Sequence, residues 1–279
     1  MIEQLRKDAK ELLEKGEVEL VIGFEESRVK NAATPVFIKS SDDVEKLVLN
    51  PFCYNNLATY LTHPQIRKQG KPAIVAKKTD IMTLIALVQE TQIAPEDFVI
   101  LGVDIAEIGK EDSNIDYIGV MSFAEAEKYI ADNVKTLEMT EEQAQRLEAL
   151  EKMDMDERWD FWIGEFDRCI KCYACRQACP MCYCQRCIVE KNQPQWVSTN
   201  INTRGALAWN IIRAFHLAGR CIGCGECERV CPVDIPLMTL NKFLAKAVFD
   251  EFGYITGVSS EEKPPLTVYR ENDVETFIK

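Results

Sequence analysis

Cys169-Ile-Lys-Cys172-Tyr-Ala-Cys175-Arg-Gln-Ala-Cys179-Pro180 and Cys221-Ile-Gly-Cys224-Gly-Glu-Cys227-Glu-Arg-Val-Cys231-Pro232 are two copies of one spacing, Cys-x2-Cys-x2-Cys-x3-Cys-Pro. Three thiolates at x2 spacing can wrap one loop around three irons of a cubane. The fourth, three residues further on, has left that loop and reaches the neighbouring cluster. The motif therefore predicts two 4Fe–4S clusters with crossed ligation. Cys169, Cys172, Cys175 and Cys231 would hold the first, and Cys221, Cys224, Cys227 and Cys179 the second. The competing chemistry is structural zinc, which takes four ligands in a tetrahedron, usually as two separated Cys-x2-Cys pairs. Two complete copies of the longer motif do not have that form.

The cysteine distribution supports metal over disulfides. Of twelve cysteines, only Cys53 precedes residue 169, and eleven fall between Cys169 and Cys231. The chain is neither small nor marked as secreted, because its N-terminus is a charged helix start without a basic-then-apolar leader. Three cysteines lie outside the two motifs, in Met181-Cys182-Tyr-Cys184-Gln-Arg-Cys187. With Cys53 they complete a third set of four, a candidate third iron–sulfur or zinc site. The alternative is that they are small apolar residues with no metal.

The 279 residues, 47% hydrophobic, suffice for two modest cores. A net charge of −12 with no Lys/Arg cluster argues against nucleic-acid partners. No apolar run is long enough to cross a bilayer, so the expectation is a cytoplasmic protein without membrane insertion.

Residues 1–135 alternate between helix and strand signals. Strands are expected at Leu20–Phe24, Val36–Lys39, Ala73–Ala76, Phe98–Val103 and Tyr117–Met121. Helices are expected at Ile2–Lys15, Asp42–Leu49, Asp80 to about Gln92, and from Ser122 to about Asn133. That order favours an α/β domain with a largely parallel sheet. Residues 136–168 read as a helical connector, with a capping box at Thr140–Gln143 and aromatic residues from Trp159 to Phe166. Residues 169–255 read as a mainly α-helical dicluster ferredoxin domain. Within it, Gly205–Ala218 is apolar nearly all round and should be buried, with Gly219 as its cap and a further helix near Leu237–Phe252. Residues 256–279 are charged and proline-bearing, and read as a tail or partner-binding arm.

The long gap between Cys179 and Cys221 holds a whole helix, whereas compact bacterial ferredoxins keep their two motifs close. The arrangement resembles the α-helical ferredoxin fold of succinate dehydrogenase iron–sulfur subunits and heterodisulfide reductase C-type subunits. Ala218 to Leu237 is similar to the second motif of that group. Four N-terminal stretches resemble the beta subunits of deazaflavin-linked hydrogenases and formate dehydrogenases. They are Glu19-Leu-Val-Ile-Gly-Phe24, Pro35 to Leu47, Ala73 to Asp80 and Gln92 to Val103. The first resemblance implies an electron-relay subunit of an anaerobic oxidoreductase complex, partnered by other flavin- or iron–sulfur-containing subunits. The second implies that the N-terminal domain can bind FAD or FMN and exchange electrons with a diffusible carrier such as deazaflavin, ferredoxin or a nicotinamide. Where that family usually reads Lys-x-Cys-Asp, this chain reads Lys77-Lys78-Thr79-Asp80. Lys77 and the helix start at Asp80 are the candidate flavin-phosphate contacts; the alternative is a solvated lysine and an ordinary N-cap. No catalytic residue is assigned.

Overall fold

The structure, a computed structural model, describes residues 1–269 and 271. The chain divides into two compact units: Met1–Asn133 with Gly257–Glu261, and Val134–Thr256 with the residues from Glu262 onward.

The first unit is built on a five-stranded sheet of order β2-β1-β3-β4-β5. Its strands are β1 (Leu20–Glu26), β2 (Ala33–Ile38), β3 (Pro72–Ala76), β4 (Val99–Ile105) and β5 (Ile115–Met121). Every residue of β3 and the first five of β1 are buried. Such unbroken apolar runs suit strands covered on both faces. β1, β3 and β4 pair in parallel, while β2 and β5 run antiparallel at the two edges. The sheet is thus mixed, where the sequence pattern favours a largely parallel one. Connection length decides this: the links 27–32 and 106–114 are too short for a crossover, which needs a dozen or more residues. β5 alternates half-buried and exposed positions, as an edge with one wet face should.

The helices of this unit are α1 (Ile2–Glu14), a single turn α2 (Pro64–Arg67), α3 (Lys78–Gln89) and α4 (Phe123–Asn133). Ser40 caps a short 3-10 helix at Ser41–Lys46 rather than the longer helix expected over 42–49. Gly257–Glu261, expected in the tail, packs in this unit. Gln89 Nε2 donates to Ser259 O at 3.0 Å, and Ser260 N donates to Glu127 Oε1 at 2.5 Å. Gly257 has φ +78°, and a Cβ there would lie 2.3 Å from Met82 O, so only glycine fits. The rest of the expected tail includes residues 270 and 272–279, which lie outside the described residues.

The second unit is helical: α5 (Glu141–Lys152), α6 (Met155–Asp167), α7 (Ala174–Gln177), α8 (Thr203–His216), α9 (Glu226–Arg229) and α10 (Leu237–Phe252). Thr140 and Asp154 open α5 and α6 with capping boxes. These two helices, expected as a connector, belong to this unit's core: Phe166 is fully buried and stacks on Trp162 at 5.3 Å. α8 is not buried all round. Its inner face is Gly205, Ala206, Trp209, Asn210, Arg213 and Ala214, while Phe215 is 61% exposed. Two polar residues therefore point into the core and an aromatic one points out. Gly219 closes the following turn at φ +67°. Among the described residues no helix is long and apolar enough to cross a membrane.

Candidate metal centre

The two cysteine loops share one backbone. Lys171 and Tyr173 have φ of 52° and 59°, and the equivalent positions of the second loop, Gly223 and Gly225, have 80° and 79°. Two left-handed residues per loop turn the chain back on itself, so that three successive thiols share one side. Glycine takes that conformation at no steric cost, whereas the first loop holds it with lysine and tyrosine. Neighbouring groups keep those two in place: Lys171 Nζ donates to Ser198 O, and Tyr173 packs edge-on against Trp209 at 4.7 Å. Each loop ends in a one-turn helix, α7 or α9, carrying its third cysteine.

Electrostatics shows which thiols are neighbours. Burial pushes the Cys221 and Cys224 thiols up, and the next largest cause at both is the charge of Cys179. Cys227 is also pushed up by burial; Arg213 opposes that shift and Cys179 adds to it. Cys179, the fourth cysteine of the first motif, therefore faces the three thiols of the second. Cys175 is pushed up by burial, with Cys169 and Cys172 adding to the shift from its own loop. Cys231 packs against the core cluster that contains Cys169, Cys175 and Cys227, and its Sγ accepts from Ile235 N at 3.4 Å. Asn241 Nδ2 donates to Cys227 Sγ at 3.5 Å. Among the described residues, no three His, Cys, Asp or Glu side chains converge on a point that a single metal ion could occupy.

Among the described residues of this unit three cations are buried: Lys171 at 7% exposure, Arg213 at 5% and Lys242 at 7%. Burial pulls Lys171 and Lys242 down, while Cys169 pushes Lys171 back up and Cys221, Glu138 and Cys224 push Lys242 back up. Burial also pulls Arg213 down, but the thiolates of Cys179, Cys182, Cys227 and Cys175 outweigh it and hold the guanidinium above its ordinary value. Glu226 is the buried carboxylate of the unit, and Arg229 grips it at 2.7 Å and 2.9 Å. The donors present fit an anionic iron–sulfur group: thiols of both motifs, with buried positive charge among them. The sequence patterns did not single out Lys171, Arg213, Lys242 or Asn241. A lone arginine four residues after Trp209 on an apolar helix was the available signal for Arg213.

The remaining cysteines are arranged differently. Cys182, Cys184 and Cys187 line one cavity of about 150 Å³ with Arg176, Arg213 and His216. Cys182 shares its thiol proton with Cys179, which lowers Cys179 and raises Cys182. Cys53 belongs to the sheet unit, is fully buried, and donates to Asn50 Oδ1 at 3.7 Å.

Lys77 and Asp80 lie where β3 runs into α3, the strand end at which open α/β sheets place ligands. Both are buried and spend their polar atoms internally. Lys77 Nζ lies 2.8 Å from Asp80 Oδ2 and 2.7 Å from Asn55 O, and sits 4.8 Å over the Phe24 ring. Asp80 also accepts from Lys77 N and Leu57 N. The pair expected to greet a flavin phosphate is an internal tie with its charges already matched, so these residues do not fit that group.

Residues 165–235 match the family described as "4Fe-4S dicluster domain". The chain is 37% identical over 114 residues to "F420-dependent formate dehydrogenase subunit beta" of Methanocaldococcus jannaschii, covering 39% of this chain and 28% of that protein. It is 29% identical over 105 residues to "F420-dependent formate dehydrogenase 1 subunit beta" of Methanococcus maripaludis, covering 38% of this chain and 26% of that protein. The chain thus spans little more than a quarter of the length of these curated relatives.

Proposed function

We propose that this chain is an iron–sulfur electron-transfer subunit of an oxidoreductase complex, built on two 4Fe–4S clusters with crossed ligation. Cys169, Cys172, Cys175 and Cys231 hold one; Cys221, Cys224, Cys227 and Cys179 hold the other. The observation that carries this reading is the position of Cys179, whose charge acts on Cys221, Cys224 and Cys227 from outside their loop. The match of residues 165–235 to the dicluster family supports it.

When bound, the clusters supply one-electron transfer. The protein's own part is to hold and tune them. The left-handed loops point three thiolates each; Ile235 N and Asn241 Nδ2 donate to ligand sulfurs, which stabilises the more reduced state. Phe166, Trp209 and Leu237 keep water from the ligands. Cys172 is the exposed thiol of the first set and marks where a partner's redox centre can approach. The partners are other redox subunits, as the names of the two relatives suggest. Trp159 and Met155, exposed on α6 beside a cleft of about 550 Å³, are a docking surface for one of them. A flavin at Lys77 and Asp80 is not part of this reading.

Crossing is testable in anaerobically purified protein. Cys179→Ser and Cys221→Ser should abolish the same paramagnetic signal on reduction, and Cys231→Ser and Cys169→Ser the other. If Cys179→Ser and Cys169→Ser remove the same signal, the ligation is uncrossed and the assignment fails. A third site on Cys182, Cys184 and Cys187 predicts that Cys184→Ser lowers iron or zinc content; unchanged metal content removes that site.

A further inference from the structure

Arg213 lies on the buried face of α8 in its last turn, one turn beyond Trp209. Its Nη2 donates to Cys175 O at 3.0 Å, and its guanidinium also donates to the Cys182 thiol. Its Nε is buried and has no hydrogen-bond partner among the described residues. A buried donor left unmade is costly, and native structures rarely keep one without a reason. The thiols whose charge acts on the guanidinium come from both motifs, Cys175 and Cys179 from the first and Cys227 from the second, with Cys182 from outside them. Arginine suits such a place better than lysine, because its planar fork carries five donors in fixed directions and its charge is permanent.

We propose that Arg213 sets the reduction potentials of the two clusters relative to one another, its guanidinium lying among ligands of both and its Nε–H donating to a sulfur of the cluster held by Cys179, Cys221, Cys224 and Cys227. This rests on the ligand assignment given above. A fixed positive charge and a hydrogen bond to sulfur both favour the state with one more electron, so each raises the potential. The charge acts on both clusters, whereas the Nε donor acts on one. Arg213 therefore makes the second cluster the better electron acceptor of the pair, and an electron arriving at the first, near exposed Cys172, moves inward.

The test is a redox titration of anaerobically purified protein, followed by electron paramagnetic resonance, with iron and sulfide measured on each sample. In Arg213→Gln both signals should titrate at lower potential, with the larger shift in the signal that Cys221→Ser abolishes. Arg213→Lys, which keeps the charge and loses the fork, should fall between the two. Full iron content with potentials equal to those of the wild type would overturn the proposal while leaving the ligand assignment standing. A wild type without iron would overturn that assignment itself. If Arg213→Gln does not assemble, wild-type protein with 15N-labelled arginine decides. A 15N hyperfine coupling in the second cluster's signal is expected, and its absence overturns the proposal.

Discussion

Lys77 in the sheet unit and Arg213 in the cysteine unit are both withdrawn from water, yet their charges are met in different ways. Lys77 lies against an equally buried carboxylate, Asp80, at 2.8 Å. Among the described residues of the cysteine unit the buried carboxylate, Glu226, is already gripped by Arg229; Lys171 and Arg213 face thiols, and Lys242 faces thiols together with Glu138. A thiol answers a cation only when it has lost its proton, and burial pushes most of these thiols the other way. The sheet unit is thus electrically complete as the chain alone, while the cysteine unit is complete only with an anionic group bound. Folding of the second unit and loading of its clusters should therefore be one event, as for other small metal domains.

The comparison breaks most visibly on iron removal. Stripping with a chelator under anaerobic conditions should abolish the cooperative transition of the cysteine unit in calorimetry and leave that of the sheet unit in place. Two unchanged transitions would show that the cations need no cluster. Next in size is Asp80→Asn, which leaves Lys77 buried without its countercharge and replaces the oxygen that accepts from Lys77 N with an amide donor. The expected loss is about 3–5 kcal/mol in the denaturant midpoint of the sheet unit, with iron content untouched. Lys242→Met should destabilise the cysteine unit of the loaded protein by about 2 kcal/mol, because a charged donor among cluster ligands is lost, and leave the sheet unit's transition unchanged. A loaded protein whose cysteine unit is as stable as the wild type would contradict the account.

A smaller effect tests the sheet unit's self-sufficiency. Tyr117 on β5 donates to Asp8 Oδ2 of α1 at 2.8 Å, and burial together with that carboxylate pushes its hydroxyl far above the usual tyrosine value. Tyr117→Phe should cost about 1 kcal/mol. A group whose folded value is raised contributes fully below its unfolded value, near 10, and its contribution falls as pH rises beyond that. The difference between variant and wild type in thermal unfolding should accordingly hold across neutral pH and shrink in alkali.

Much of this was legible in the residues. The five strands follow from short β-branched runs, and Leu237–Phe252 was bounded correctly because its apolar period is strong and Gly253 ends it at φ +65°. Strand direction was not legible from alternation alone; it follows from the two short links beside β2 and β5. The dicluster character of residues 165–235 was legible in the cysteine spacing, since that spacing is a local property of a loop. Lys77 and Asp80 misled because a lysine before a helix start looks the same whether it awaits a phosphate or is tied to a carboxylate three residues on. Arg213 was hidden within an apolar helix. Which face of that helix turns inward depends on the packing of α6 and α10 around it, and no local pattern carries that.

The central claim is that eight thiolates hold two cubanes, and it stands or falls on metal and electrons together. Protein isolated without oxygen should contain about eight irons and eight sulfides per chain, and dithionite should develop two interacting paramagnetic signals. A colourless sample holding zinc, with no reducible iron, would contradict it.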